Sequence, residues 1–218
     1  GSGAALAGYL EKLGRGEAPP SGADSASTTQ LSIVDREGNA ISFSHSLGYG
    51  SGVFTPGLGF MYNNCMSAFD PRRGRRNSIA PGKERSTAVA ETIVQRRGQT
   101  VLVLGSPGAA RITAGLVEVI LNVLEFGMTA AEAVVQPRFD AYGSKKLLLD
   151  SRFPLPVVRE LGARGWDVVQ SAKPYGVVGR VYAVEIDPEG VRPPVAAVDP
   201  GEPGAAFRFP SSGCDSGK

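Results

Sequence analysis

Thr28 and Thr29 open an alternating strand pattern directly after a stretch rich in proline, serine and alanine. Cleavage of the Ser27–Thr28 bond at this place would expose an N-terminal nucleophile. The hydroxyl of Thr28 would attack the substrate, and its own freed amine would act as the base. The position also suits a β-branched residue that simply begins a strand. Taken alone, the stretch favours this second, structural interpretation.

A second candidate is the glycine-rich segment 105–109 (GSPGA), which lies between a predicted strand and a predicted apolar helix. A turn at the start of a helix presents backbone N–H groups that can hold a phosphate or an oxyanion. The segment lacks the Gly-Lys-Ser/Thr ending of a P-loop and the three-glycine spacing of a dinucleotide site. An oxyanion hole and a plain structural turn are the two alternatives.

The composition argues against several other classes of protein. The chain has 218 residues and a net charge of +2, which gives no field that would attract nucleic acid. The sequence contains no run of 18 apolar residues, so no membrane span is predicted. With one histidine and two cysteines, Cys65 and Cys214, a structural zinc site is not expected. The arginine-rich segment 72–76 is predicted to be a solvated loop.

The elements that must position these residues can be read from the hydrophobic pattern. A helix is predicted over residues 4–13 and a mobile linker over 14–27. Strands are predicted over 29–34, 40–47, 92–96, 99–104, 147–150, 166–170, 180–186 and 191–197. Further helices are predicted over 110–126, from the capping box at 129–132 to before Pro137, and over 155–164. Helices grouped between runs of strands predict antiparallel sheets covered by helices, an α/β (α+β) arrangement.

The first hairpin has a preferred register. Pairing residues whose numbers sum to 74 places Leu31 opposite Phe43 and Thr28 opposite Ser46, whereas a slip of one residue mixes the two faces. Cross-strand neighbours lie about 5 Å apart at Cβ, close enough for a hydroxyl–hydroxyl hydrogen bond. His45 lies on the other face, in line with Phe43, where a core histidine is the expected interpretation.

Several short segments come in a characteristic order along the chain: Thr28-Thr29, residues 34–40 (VDREGNA), 63–66 (NNCM), 81–83 (PGK), 105–108 (GSPG), 126–128 (FGM), 131–133 (AEA) and 137–139 (PRF). Taken together, they resemble the γ-glutamyltransferase (γ-glutamyltranspeptidase) family of N-terminal-nucleophile hydrolases, specifically its small subunit. The resemblance runs from about Thr28 to Asp199. It implies a four-layer αββα sandwich, of which this chain supplies one half, made by autocatalytic cleavage of an inactive precursor.

The resemblance also implies how the chain is divided and what it binds. Residues 1–27 would be the tail of the large subunit with the processing linker, and residues 28–218 the catalytic small-subunit half. The large-subunit half of the same precursor would be the partner in a heterodimer, and without it one face of the sheet would be uncovered. The substrate would be a small-molecule amide, with no metal or organic cofactor. The compartment stays open between cytoplasmic and periplasmic or secreted.

Carried over residue by residue, the family's catalytic positions match this chain. Thr28 would be the nucleophile, freed by processing between Ser27 and Thr28. Ser46 stands where the family has the threonine that hydrogen-bonds the nucleophile. Gly108 and Ala109 would form the oxyanion hole. The family has two glycines there, but backbone N–H groups do this work, so alanine is compatible with it.

The substrate-recognition positions depart from the family pattern. Gly48 stands in place of the usual asparagine, and the usual Asn-Asn-Gln-Met-Asp-Asp reads Asn-Asn-Cys-Met-Ser-Ala over residues 63–68. Asn64 is therefore retained, the expected glutamine is Cys65, and the aspartate expected to bind the substrate ammonium is Ala68. Asp70 is near enough in sequence to substitute for that carboxylate.

The serine pair that holds the substrate α-carboxylate in the family aligns with Thr87 and Ala88, so one of two hydroxyls remains. The sequence predicts an autoprocessed N-terminal threonine amide hydrolase or acyltransferase that passes a γ-glutamyl-like acyl group to water or an amine. One alternative is a family member with a different acyl specificity, such as an acylase or amidase of secondary metabolism. The other is an inactive, truncated scaffold, against which the retention of Thr28, Ser46 and the glycine-rich turn argues.

Overall fold

A computed structural model describes residues 28–143, 145–175, 178–201 and 203–209. The predicted helix over 4–13, the linker over 14–27 with Ser27, and Cys214 lie outside these residues. The described chain divides into two compact units. Residues 46–65 belong to the smaller unit, whereas residues 28–45 and those from 66 onward form the larger unit. The predicted division at Ser27–Thr28 stays a prediction.

The regular elements are numbered in chain order. Strands β1 to β9 span Thr28–Val34, Ala40–Ser46, Thr92–Arg96, Gln99–Gly105, Phe139–Tyr142, Lys146–Leu149, Asp167–Gln170, Tyr182–Glu185 and Val195–Val198. Helices α1 to α3 span Ile112–Leu124, Ala130–Val135 and Leu155–Ala163. Short 3₁₀ turns span Cys65–Ala68 and Ala109–Arg111. Among the residues described, no helix is both long and apolar enough to cross a membrane.

The strands form three sheets. β1 pairs with β2, β3-β4-β8-β9 form a four-stranded antiparallel sheet, and β5-β6-β7 form the third. In the third sheet β6 and β7 are parallel, which the expectation of antiparallel sheets did not include. A parallel pair needs a crossover connection, and α3 provides it. β5 was not predicted from the sequence.

The β1–β2 sheet faces the four-stranded sheet with its polar side. Gln30 is buried in this interface, and Ser42 Oγ donates to the Leu104 carbonyl at 2.9 Å. Ser32 Oγ donates to the Tyr182 carbonyl at 3.2 Å. Helices α1 and α2 cover the other face of the four-stranded sheet, where the apolar core lies: Leu102, Leu104, Ile112, Leu116, Val119, Val134 and Val181. Two facing sheets with one helical layer confirm the mixed α+β fold.

The apolar side of the β1–β2 sheet faces outward. Leu31, Ile33, Ile41 and Phe43 are 48%, 50%, 56% and 50% exposed, and His45 on the same face is exposed too. The expected core position of His45 is therefore wrong. The Ser32 and Ser42 hydroxyls of the opposite face hydrogen-bond the backbone of the facing sheet, and this pairing directs the apolar side away from it.

Most local predictions are confirmed. Thr129 and Glu132 form the predicted capping box at the start of α2, and Gly165 follows α3 with φ 87°. The last strand was predicted over 191–197, but β9 begins at Val195. Pro193 and Pro194 precede it, and proline has no N–H to contribute to a strand ladder.

Candidate active site

Thr28 is the first residue of β1 and is half-buried. Two residues along, the Gln30 side chain lies against Gly105, where a Cβ would come within 2.3 Å of its carboxamide. Gln30 Nε2 donates to Ser42 Oγ at 3.0 Å, and Ser44 Oγ donates to Gln30 Oε1. The Ser44 contact fits the predicted register, in which Gln30 lies opposite Ser44. The packing of Gln30 against Gly105 brings the beginning of β1 to the end of β4.

Two backbone N–H groups of the turn after β4 have no hydrogen-bond partner in the part of the chain that the structure describes. Gly105 ends β4, and the 3₁₀ turn Ala109–Arg111 leads into α1. Within the described residues, the N–H groups of Gly108 and Ala109 donate to no other group, whereas Arg111 N–H donates to the Gly108 carbonyl at 3.2 Å. Gly108 is half-buried and Ala109 is exposed. Two adjacent unpaired N–H groups of this kind can stabilise an oxyanion.

The backbone of this turn is unusual. Gly108 has φ 146° and Ala109 has φ 52°, so both residues lie at positive φ. For a residue with a Cβ, the left-handed conformation costs about 1–2 kcal/mol. Strain of this kind persists only where the surrounding structure imposes it, and it concentrates at functional sites.

The larger unit offers little negative charge at the positions aligned with ammonium recognition. Ala68 has no carboxylate, and its carbonyl accepts from Asn77 Nδ2 at 2.6 Å. Asp70 is paired with Arg72, whose Nε and Nη2 donate to Oδ1 and Oδ2 at 2.9 and 2.8 Å. These bonds from Arg72 lower the pKa of the Asp70 carboxyl. Both oxygens of Asp70 therefore already have a cationic partner.

The aligned carboxylate-binding pair is also altered. Thr87 is exposed, and its Oγ1 accepts the N–H of Val89 at 3.1 Å, a bond within its own loop. Ala88 is half-buried and has no hydroxyl. No group of three or more His, Cys, Asp or Glu side chains that could hold a metal ion occurs in the described part of the chain.

The smaller unit contains Ser46, Asn64 and Cys65. Ser46 Oγ accepts the Gly48 N–H at 2.9 Å, and Asn64 Oδ1 accepts the Tyr49 N–H at 3.0 Å. A Cβ on Gly48 would lie 2.2 Å from Asn64 Oδ1, so the Asn64 side chain fills the space where a longer residue at 48 would begin. Cys65 is a half-buried free thiol.

Comparison with known proteins decides the family. The family model described as Gamma-glutamyltranspeptidase matches residues 10–209. This chain belongs to the γ-glutamyltranspeptidase family. Its similarity extends to "Acylase ACY 1 proenzyme" of Pseudomonas sp. (strain V22), with 38% identity over 172 residues, covering 78% of this chain and 30% of that protein.

Two further proteins are similar to this γ-glutamyltranspeptidase-family chain. "Glutathione hydrolase proenzyme" of Pseudomonas sp. (strain A14) is 34% identical over 145 residues, covering 61% of this chain and 25% of that protein. The γ-glutamyltranspeptidase structure from Pseudomonas nitroreducens complexed with L-DON superimposes with a TM-score of 0.73 and 30% identity, covering 84% of this chain and 100% of that one. The chain spans less than a third of the curated relatives' length.

Glu118, Arg138 and Asp140 of this γ-glutamyltranspeptidase-family chain form a charged cluster that was not predicted from the sequence. Glu118 of α1 accepts the Phe139 N–H through Oε1 at 3.0 Å, and Oε2 is buried without a hydrogen-bond partner among the described residues. Burial raises the pKa of Glu118 to about 7, against the opposing effects of the Phe139 N–H and Arg138. Arg111 lies 3.6 Å from Asp140.

Glu118 makes stability pH-dependent. Because its pKa is about 7 in the folded state and 4.5 ordinarily, the folded protein holds more protons between these values. The contribution of Glu118 to stability is therefore largest below pH 4.5, falls as pH rises through this window, and is constant above about 7. The Glu118→Gln variant stays neutral and keeps an acceptor for the Phe139 N–H. Relative to it, the wild type should lose up to about 3 kcal/mol of free energy of unfolding as pH rises through this window.

Denaturant unfolding of the full protein at pH 5 and pH 8.5 measures this effect. The Glu118→Gln variant should gain stability over the wild type at the higher pH. Glu125→Gln, an exposed neighbour just after α1, is the control and should show no such gain. A difference between Glu118→Gln and wild type that is the same at both pH values would contradict the assignment.

Proposed function

We propose that this chain is the catalytic half of an autoprocessed N-terminal threonine amide hydrolase or acyltransferase. The observation that carries the proposal is the pair of N–H groups of Gly108 and Ala109, which have no partner among the described residues, in the turn that follows Gly105. Gln30 fixes β1 against Gly105, and Thr28 opens that strand. The relatives' names, an acylase proenzyme and a glutathione hydrolase proenzyme, support both amide cleavage and processing.

In the proposed reaction, Thr28 Oγ attacks the carbonyl carbon of the substrate amide. The α-amine of Thr28, freed by cleavage of the Ser27–Thr28 bond, takes the hydroxyl proton. The N–H groups of Gly108 and Ala109 stabilise the oxyanion of the tetrahedral intermediate, each lowering the barrier by about 3 kcal/mol. The ammonium then gives its proton to the leaving amine, and an acyl-enzyme ester remains. Water or an acceptor amine attacks the ester and releases Thr28.

We assign the hydroxyl of Ser46 the role of orienting Thr28, because the register predicted from the sequence places the two residues opposite each other. A partner half from the same precursor is assigned to the apolar outer face of the β1–β2 sheet. Each side chain of that face contributes about 1.5–3 kcal/mol when fully buried, and all four are about half exposed. The relatives are proenzymes of more than three times the matched length, which supports a partner of this kind.

The proposed substrate is an amide whose acyl group lacks a free α-amine. A γ-glutamyl donor brings an α-ammonium that must leave water on binding, so the site must supply an anion and hydrogen-bond acceptors. In the larger unit, Ala68 offers no carboxylate and Asp70 is already paired with Arg72. The acylase among the relatives also supports an acyl group other than γ-glutamyl.

Turnover of matched anilides tests this proposal. The values of kcat/KM for γ-glutamyl-, N-acetyl-γ-glutamyl- and glutaryl-p-nitroanilide are compared on the processed full protein. Loss of one charged partner costs about 2–5 kcal/mol of binding free energy. The kcat/KM of γ-glutamyl-p-nitroanilide, the substrate with a free amine, should therefore be at least about thirtyfold lower than that of the other two. Ala68→Asp should recover part of that difference, whereas Ser67→Asp, one residue earlier, should not. If the free-amine substrate is faster by tenfold or more, the specificity proposal is wrong and Asp70→Ala is the next variant.

A further inference from the structure

Three glycines bring the backbone of residues 178–180 into direct contact with the turn and with α1. A Cβ on Gly108 would lie 2.6 Å from Gly179 Cα, and a Cβ on Gly115 would lie 2.6 Å from the Gly179 carbonyl oxygen. A Cβ on Gly179 itself would lie 2.5 Å from Ser106 Oγ and 2.9 Å from Ile112 Cα. These distances are far inside van der Waals contact. A side chain at any of the three positions would therefore displace the backbone.

Two hydrogen bonds tie the same segment to both sides of the turn. Gly179 N–H donates to the Arg111 carbonyl at 3.1 Å, and Arg180 N–H donates to the Pro107 carbonyl at 3.0 Å. Pro107 and Arg111 bracket Gly108 and Ala109 in the chain. With these two carbonyls held, the peptide groups between them cannot rotate freely. The segment is itself anchored, because Val178 and Val181 are buried.

The strained backbone of the turn needs an external constraint. Ala109 has a left-handed backbone that costs energy for any residue other than glycine, and no side-chain cap holds the 3₁₀ turn that follows Gly108. Without the contact from residues 178–180, the turn could relax by rotating the peptide between Gly108 and Ala109. That rotation would change the directions of both N–H groups.

We infer that Gly179 is a positioning residue for the oxyanion hole. Its missing side chain allows the close approach, and its N–H fixes the Arg111 carbonyl, so that the N–H groups of Gly108 and Ala109 stay unpaired and aligned. Gly179 touches neither the substrate nor the reacting atoms and acts through the turn. The inference rests on the proposed function, in which these two groups hold the oxyanion.

The test compares Gly179→Ala with Gly162→Ala in the processed full protein. The two changes add the same methyl group, but a Cβ on Gly162 in α3 has nothing within 4 Å. Gly179→Ala should lower kcat by about 100-fold, because a misplacement of about 1 Å has effects of this size, while KM stays within about threefold. Gly162→Ala should leave kcat and KM unchanged. A Gly179→Ala enzyme with wild-type kcat would overturn the inference, whether or not its KM is raised.

A second variant separates positioning from folding. Gly115→Ala presses on the Gly179 carbonyl from α1 and leaves Gly179 intact, so it should also lower kcat selectively. It decides the matter if Gly179→Ala yields no soluble protein. If neither variant folds while Gly162→Ala does, the contact serves stability and the positioning role is wrong.

The backbone of the turn gives a readout that needs no turnover. With ¹⁵N-labelled alanine, the amide resonance of Ala109 can be assigned by its absence in Ala109→Gly. It should shift in Gly115→Ala and stay in place in Gly162→Ala, and an unshifted resonance in Gly115→Ala would overturn the inference. If the wild type has no Thr28-dependent activity, the proposed function fails, and this measurement still decides whether Gly179 sets the turn.

Discussion

Replacing Thr28 with alanine in the full protein should abolish both turnover and cleavage of the Ser27–Thr28 bond. The hydroxyl of Thr28 is the proposed nucleophile in both reactions, and alanine offers no atom in its place. Loss of a hydroxyl nucleophile lowers kcat by about 10⁶-fold in a comparable covalent hydrolase. Intact mass shows whether the chain is cut, and anilide turnover gives the rate. The alanine chain should remain whole and inactive.

Two conservative variants make this test specific. Thr28→Ser keeps a hydroxyl and should retain cleavage and a measurable rate. Thr29→Ala removes an exposed hydroxyl from the next residue of β1 and should change neither. A wild-type chain that stays uncut while it turns over substrate would contradict the mechanism, as would an active Thr28→Ala.

Replacing Asp199 with asparagine should cost about 3–5 kcal/mol of stability, the usual effect of breaking a buried ion pair by removing one partner. Asp199 is 0% exposed and pairs with Arg138, which is 3% exposed. Asp199 also accepts the N–H of Gly201 at 2.8 Å and that of Val181 at 3.3 Å. Nε and Nη1 of Arg138 are buried with no hydrogen-bond partner among the described residues, so the guanidinium depends heavily on this carboxylate.

Denaturant unfolding of the processed full protein measures the loss. Adding Arg138→Met to Asp199→Asn should restore part of the stability, because no charge is then left buried alone. Glu160→Gln breaks the exposed pair with Arg164 on α3 and should cost less than about 0.5 kcal/mol. Equal losses in Asp199→Asn and Glu160→Gln would contradict the assignment of Arg138 and Asp199 as a buried pair.

The local structure could be predicted from the sequence because short-range forces set it. Period-two alternation predicted β1 and β2, the hydrophobic pattern over 92–96 and 99–104 predicted β3 and β4, and the spacing of Thr129 and Glu132 predicted the capping box. The order of short segments along the chain was enough to identify the family. The roles of Thr28, Ser46, Gly108 and Ala109 remain proposals that the sequence raised.

Contacts between distant parts of the chain decided the rest. Alternation separates the two faces of β1 and β2 but does not say which one is covered. Ser32 and Ser42 turn inward because their hydrogen-bond partners lie on β8 and β4, as much as 150 residues away, and Gln30 packs against Gly105 of β4. The raised pKa of Glu118 and the close approach of Gly179 to the turn arise in the same way. A one-dimensional pattern records what a residue can do nearby, whereas burial and backbone contact depend on which distant segment packs against it.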